Sequence, residues 1–340
     1  MVAKNRKMWA ALVTTAVASA GLAAVAAPAN AATDIKVGVT AINSMGAIQY
    51  AVDSGIFKKN GLNVTQLQAF PAPPPSIAAL ASGAVQFVYS PTIPVINAYE
   101  NGGVNLRIVA PADGYSRSDL AKAKKNATFA AQIDDTGVCI SPTGGIGRWK
   151  DLVGKTVSVP ARGAQAEVTI ASAVKKDGGD PSKINWVTLG FPEVVTSVQS
   201  GKIQAGFTVE PFTTNCTAAR LKNLGSPGIQ FFDTEQAIGV WVTTADFAKN
   251  NPKAVRAFQK AMFEANSFAM ASKANMRKVT LASTKVTGVP ASQALAANPT
   301  FYPQYVVKQD VTRPATKMLE LGFLKKPADV AGVLLRQYRP

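Results

Sequence analysis

Histidine is absent from the 340 residues, and cysteine occurs only as Cys139 and Cys216. Without imidazole, no triad of the Ser-His-Asp or Cys-His kind can activate a nucleophile, and two thiols alone do not make the usual zinc or haem ligand sets. No metal and no cofactor is therefore expected. Catalysis would have to rest on carboxylates or lysines, and no pair of these is marked out by spacing. Acidic side chains are scarce as well: 20 Asp and Glu stand against 36 Lys and Arg, a formal net charge of +16. Such a balance favours anionic partners, whether a small solute, a membrane surface or nucleic acid. The basic residues form no single block with interleaved aromatics, however. Lys58-Lys59, Lys122, Lys124-Lys125, Lys175-Lys176 and Lys325-Lys326 fall near expected helix ends and loops. That is the pattern of a solvated surface, and it argues against nucleic acid. Past residue 31 no stretch stays apolar long enough to span a bilayer.

What is present begins with Lys4, Arg6 and Lys7, an uncharged Ala/Val/Leu run, and Ala29-Asn30-Ala31. This is the layout of a signal peptide cleaved near Ala31, so the chain is expected to be exported to the periplasm, or secreted if its source has one membrane. No Cys lies near that site, which argues against a lipid anchor. About 309 residues remain, with 33 basic against 20 acidic, enough for two domains with their own cores. In an oxidising compartment Cys139 and Cys216 either form a disulfide or remain two thiols.

From Thr33 strands and helices alternate. Ile35, Val37 and Val39 mark a strand, and Ile48, Ala51 and Val52 face inward on a helix reaching about Phe57. A second strand, Leu62 to Phe70, stops at Pro71-Ala72-Pro73-Pro74-Pro75, which cannot be strand interior. A helix over Ser76 to Ser82, a strand at Val85, Phe87 and Tyr89, a helix from Ser90-Pro91-Thr92 and a strand from Asn105 to Ala110 follow. Four strands and three helices in that order imply a parallel, doubly wound sheet. Pro111-Ala112-Asp113-Gly114 breaks the rhythm, and Ser116 to Gln132, polar and weakly periodic, is expected to be a crossing strand with an excursion. A second α/β unit then runs from strand Gly137 to Ile140 through strand Ile203 to Val209 and helix Phe212 to Leu221. Near Phe231 to Val242 the chain returns. Beyond Ala245 the pattern is helical, with Pro252, Pro290, Pro299, Pro314 and Pro327 separating the helices.

Within the second unit, Lys155 to Lys176 organises the rest. Val157 and Val159 alternate with Thr156 and Ser158, Pro160 stops the strand, and Arg162-Gly163-Ala164-Gln165 opens a helix with Val168, Ala171 and Val174 on one face. A helix start carries unpartnered N–H groups and the positive end of the dipole, so an anion can dock there beside Arg162. An ordinary strand-to-helix turn is the plainer alternative.

With these residues in view, the sequence resembles the substrate-binding proteins of ABC importers, in the nitrate/sulfonate/taurine and thiamine-pyrimidine branch. The resemblance is carried by Gly46-Ala47-Ile48-Gln49-Tyr50-Ala51, Gly55 to Leu62, Ala79 to Gln86, Trp149 to Val157, Val195 to Ala205, and Glu210-Pro211-Phe212. It implies an α/β, type II periplasmic-binding-protein fold: two doubly wound lobes joined by two crossing segments, with a helical C-terminal region. Lobe I would comprise 32–112 and 236–340, and lobe II 113–235. It also implies a monomer that delivers a small solute to a permease in the inner membrane. Ligand contacts in the family come from loops at strand ends, which selects Asn43, Ser44, Tyr89, Ser90, Arg162, Gly163, Ala164, Gln165, Phe191 and Glu210. Asn43 and Ser90 can donate to an oxyanion or simply cap turns, while Tyr89 and Phe191 can sandwich a flat solute or pack in the core. Glu210 is either a solvated rim charge or a receiver of an amine or ring N–H. Arg162 and Glu210 together suggest an anionic or zwitterionic solute such as an amino-sulfonate. An aminopyrimidine, an aromatic carboxylate, and a sensor or scavenger role are the alternatives. The pyrimidine-synthesising enzymes that the branch also resembles use His and a Cys-rich motif, which this chain lacks.

Overall fold

The computed structural model describes residues 32–340; the signal-peptide reading lies outside the described residues. The strands, several of them with β-branched residues at every second position as in β1 and β6, are β1 (Thr33–Val39), β2 (Leu62–Ala69), β3 (Phe87–Pro91), β4 (Leu106–Gly114), β5 (Thr136–Ile140), β6 (Thr156–Val159), β7 (Asn185–Thr188), β8 (Ala205–Val209), β9 (Lys222–Asn223) and β10 (Ala237–Thr244). They build two sheets, in the orders β2-β1-β3-β10-β4 and β7-β6-β8-β5-β9.

Neither sheet is wholly parallel. β1 lies parallel to β2 and β3, but β10 is inserted antiparallel between β3 and β4, with Trp241 opposite Tyr89 on one side and Ala110 on the other. In the second sheet β6 is parallel to β7 and β8, while β5 runs antiparallel to β8. β1 to β4 all run in one direction, as their order along the chain implies, and only the inserted β10 opposes them. β10 reads AIGVWVT with every one of those residues buried, so it needs neighbours on both edges and cover on both faces. A position between β3 and β4 supplies them.

The C-terminal helices cover the first sheet. On helix Pro252–Ala271, Phe258 is fully buried, stacked on Phe87 at 4.0 Å between ring centroids and edge-on to Trp241 at 5.7 Å. Val138, Val157, Ile170, Val174 and Phe207 form a separate core under the second sheet. Cys139 on β5 is bonded to Cys216 on helix Phe212–Ala218, tying one face of that sheet to the helix over it.

Two expectations are corrected. Ser116 to Gln132 holds two short helices, Arg117–Ala123 and Ala127–Ile133, and no strand. Their starts are fixed by caps: Ser116 Oγ accepts from Asp119 N and Asn126 Oδ1 from Phe129 N at 3.0 Å. Pro314 does not end a helix but lies inside Lys308–Glu320. The C-terminal break that does occur without proline is at Ser272, extended at φ −163°, whose hydroxyl caps helix Lys273–Thr287.

Candidate functional site

The C-terminal ends of β1, β2 and β3 point at the second sheet, and the chain between each strand and its helix is short. Thr40 and Ile42 follow β1; Pro71, Ala72 and Pro73 follow β2; Tyr89 and Pro91 close β3. Across from them stand Pro160 after β6, Ala164 and Gln165 at the start of helix Gln165–Lys176, Phe191, and Phe207 on β8. These two walls enclose a cavity with about 60 Å3 for the centres of water-sized molecules, inside about 700 Å3 of free space. Asp113, Tyr115 and Asp135, where the chain leaves β4 and enters β5, complete the lining.

Most of the wall is apolar or aromatic, and its ionisable members are acids and phenols; among the described residues no Lys or Arg lines it. Burial pushes the Asp113 carboxyl above its ordinary range, against the opposing influence of the Ser44 and Tyr89 hydroxyls and the Gly239 N–H. Ser44 Oγ stands near Asp113 without a well-formed hydrogen bond. Gly239 is required here: a Cβ on it would sit 2.4 Å from Asp113 Oδ1 and 2.7 Å from the Tyr89 ring. Asp135 keeps part of its surface open toward the cavity, and it too is raised, by burial and then by the charges of Asp113, Asp134 and Glu210. Behind it Asp134 is raised to about 6, mainly by burial, although its Oδ1 accepts from Tyr115 OH at 2.5 Å and from Thr136 N and Oγ1, each at 2.9 Å.

Of the residues selected from sequence, Tyr89, Ala164, Gln165 and Phe191 line the cavity together. The others are placed elsewhere. Arg162 faces outward with its side chain 56% exposed and makes a two-pronged contact to Glu167, Nε to Oε2 and Nη2 to Oε1, both 2.9 Å. Gly163 N donates to the same carboxylate at 2.6 Å. The anion site expected at this helix start is therefore already filled by the chain's own Glu167, the third helical residue, and Arg162 is not available to a solute in the cavity. Gly163 contributes its turn, at φ +64°, and its carbonyl accepts from Asn97 Nδ2 at 3.0 Å. Asn43 is a packing residue: its Nδ2 donates to Ala294 O and its Oδ1 accepts from Ser283 Oγ. Ser90 is buried within β3, its hydroxyl donating to Pro91 O. Glu210 is no rim charge. It is buried, accepts from Thr214 N and Oγ1 at 3.0 Å each and from Asn298 N at 3.3 Å, and is raised by burial.

Two sheets of this strand order, facing each other across a cavity at their strand ends, have counterparts of known structure. The periplasmic aliphatic sulphonate binding protein SsuA from Escherichia coli superposes with a TM-score of 0.67 at 16% identity, over 90% of this chain and 93% of that one. The periplasmic nitrate-binding protein NrtA from Synechocystis PCC 6803 gives 0.70 at 14% identity, over 89% and 86%. This is the periplasmic-binding-protein fold. Residues 127–275 also match the family model described as NMT1/THI5 like. The periplasmic-binding-protein fold does not by itself separate binding from catalysis, since the desulfurization enzyme DSZB is similar too, with a TM-score of 0.60 at 11% identity over 87% of this chain and 95% of that one. No curated protein matches the chain in sequence.

Sequence reasoning missed Asp113, Tyr115, Asp135 and the Pro71–Pro73 wall. A signal existed for the acids: Asp134 and Asp135 are adjacent in a chain poor in acids and directly precede an apolar strand, and Asp113 ends another. Carboxylates at buried strand ends are costly unless they have something to do there.

Proposed function

We propose that this chain is the exported solute-binding component of an ABC importer. Two lobes, 32–112 with 236–340 and the inserted 113–235, close over a small organic solute and present the closed form to a permease in the membrane. The observation that carries this reading is the enclosed cavity at the strand ends of two separate sheets between which the chain passes twice. Contacts made to both walls at once stabilise the closed arrangement over the open one, and that differential interaction is what such a transporter needs. Direct bridges already join the two sides, among them Asn97 Nδ2 to Gly163 O and Asn43 N to Glu210 O at 3.1 Å. The fold is shared with binding proteins for sulfonate and nitrate, which supports a transport role in the periplasm.

Solution scattering on protein purified from its own host, before and after unfolding and refolding to strip any retained solute, tests closure. The loaded protein is expected to be the more compact; identical profiles, with a solute identified by native mass spectrometry in the first sample, would refute it. Loss of uptake of that solute in a deletion strain separates an importer component from a sensor or scavenger.

A further inference from the structure

The cavity wall itself narrows the chemistry of the solute. Asp113 is only 4% exposed, lines the cavity, and its Oδ2 has no hydrogen-bond partner. A buried carboxylate oxygen left without a donor is costly, so a donor arriving there gains more than it would at the surface. Gln165, on the opposite wall, presents an unpartnered Oε1, and Asp135 adds a second carboxylate. On Asp113 and Gln165, at least, the orphaned atoms that line the cavity are acceptors.

An oxyanion, by contrast, is held best by cations or free backbone N–H groups, and the helix starts around the cavity offer few of these, leaving it mainly the hydroxyls of Thr40, Thr136, Tyr89 and Tyr115. Helix Pro73–Ala81 begins with Pro73, Pro74 and Pro75, three residues that have no N–H to offer. Helix Thr92–Glu100 has Pro91 at its cap and Pro94 in its first turn. Helix Phe191–Gln199 carries Pro192 and the acid Glu193 in its first turn. At helix Gln165–Lys176 the anion position is taken by Glu167. A metal ion is a poorer occupant than an organic cation, since no group of three metal-ligating side chains is found among the described residues.

We infer that, within the solute-binding role proposed above, the buried end of the solute is an organic nitrogen cation, an ammonium or amidinium group that donates N–H bonds to Asp113 and Asp135. Its body is small and flat or apolar, resting between Tyr89 and Phe191, whose ring faces attract a cation as well as an apolar surface. The roughly 60 Å3 open to the centres of water-sized molecules corresponds to about four to six waters at about 10–15 Å3 each, room for a small solute. A zwitterion would enter amine first and leave its anionic end toward the mouth.

Calorimetric titration of the stripped, full-length mature protein at neutral pH tests the assignment, with ethylammonium, acetamidinium and 4-aminopyrimidine in one arm and ethanesulfonate and nitrate in the other. Taurine, which joins an ammonium to a sulfonate, links the two arms. At least one nitrogen compound is expected to bind. Its affinity should fall about tenfold or more in Asp113→Asn, a truncation of one partner of a buried charge pair. Asp135→Asn supplies the same readout if the first variant does not fold. Binding by the oxyanion arm alone, binding of nitrogen compounds that both variants leave unchanged, or no binding in either arm would each overturn the inference. The importer reading fails separately, if the deletion strain takes up the host-retained solute normally.

Discussion

Replacing Asp134 by Asn should flatten the dependence of stability on pH, an effect separable from its cost at any one pH. The folded protein raises this carboxyl from 3.8 to about 6, chiefly through burial. A raised carboxyl binds its proton more tightly in the folded than in the unfolded state, so between about pH 4 and 6 the folded state holds more protons and stability falls as pH rises. A shift of about two units corresponds to about 3 kcal/mol, fully present as a loss once pH exceeds the folded value. Asn keeps an oxygen able to accept from Tyr115 and Thr136, and places an amide NH2 where Oδ2 now has no partner. Burying that amide unpaired costs about 1–3 kcal/mol, but equally at every pH. Urea unfolding of oxidised wild type and Asp134→Asn at intervals from pH 4.5 to 7.5 separates the two effects, because only the slope reports the titration. Asp113, Asp135, Glu210 and Asp310 are raised in the same direction by burial, so the wild type should still lose stability across this window while the variant loses about 2 kcal/mol less, the remainder of the Asp134 effect falling below pH 4.5. Below pH 4 the sign reverses. Asp177, held near 2 by the Arg148 guanidinium and the Lys150 N–H, contributes stability above the ordinary carboxylate range that is lost as pH falls toward 2. Asp233, lowered to about 2 by Lys124 and Lys317 in spite of burial, acts alike. Equal slopes in the two proteins, or a wild type that grows more stable from pH 4.5 to 7, would refute the reasoning.

Two further outcomes are expected. Replacing Cys139 and Cys216 together by Ser opens a loop of 77 residues and should lower the urea-unfolding free energy by about 4–5 kcal/mol on the chain-entropy account, with reduced wild type matching the variant. Glu167→Ala vacates a ready anion site made of the Arg162 guanidinium and the Gly163 N–H. The variant should therefore gain more thermal stability from sulfate than the wild type does, in a melting comparison at matched ionic strength, and an equal gain would show that the site is not formed without the carboxylate.

The strands were readable because their signal is local. Val157 and Val159 alternate within four residues, and the same alternation fixes which side chains reach the core. The position of β10 was not readable, since its partners Pro91 and Gly114 stand well over a hundred residues away and nothing in its own sequence names them. Pro314 misled for a related reason. A proline removes one N–H and crowds one turn, a local penalty that the buried face made by Val311, Ala315 and Met318 outweighs. The Arg162 site was half legible: the helix start was correct, but Glu167 is the third helical residue, where a carboxylate reaches back to unpaired N–H groups, and it claims them before any solute can.

The sharpest contrast between the whole chain and its cavity concerns charge, and its cause is geometric. A net charge of +16 describes the whole chain and so, in practice, its exposed surface, where long amines stay hydrated. The cavity samples the few positions where strands end against each other, and there the chain places Asp113 and Asp135, which are distant from Glu210 and from one another in sequence and become neighbours only when both sheets have formed. A local field set by carboxylates crowded together in an apolar enclosure is little compensated by lysines across a solvent-screened surface. On the solute-binding role proposed above, the charge of the solute is set by the wall it would touch, and a basic protein can hold an acidic cavity without contradiction.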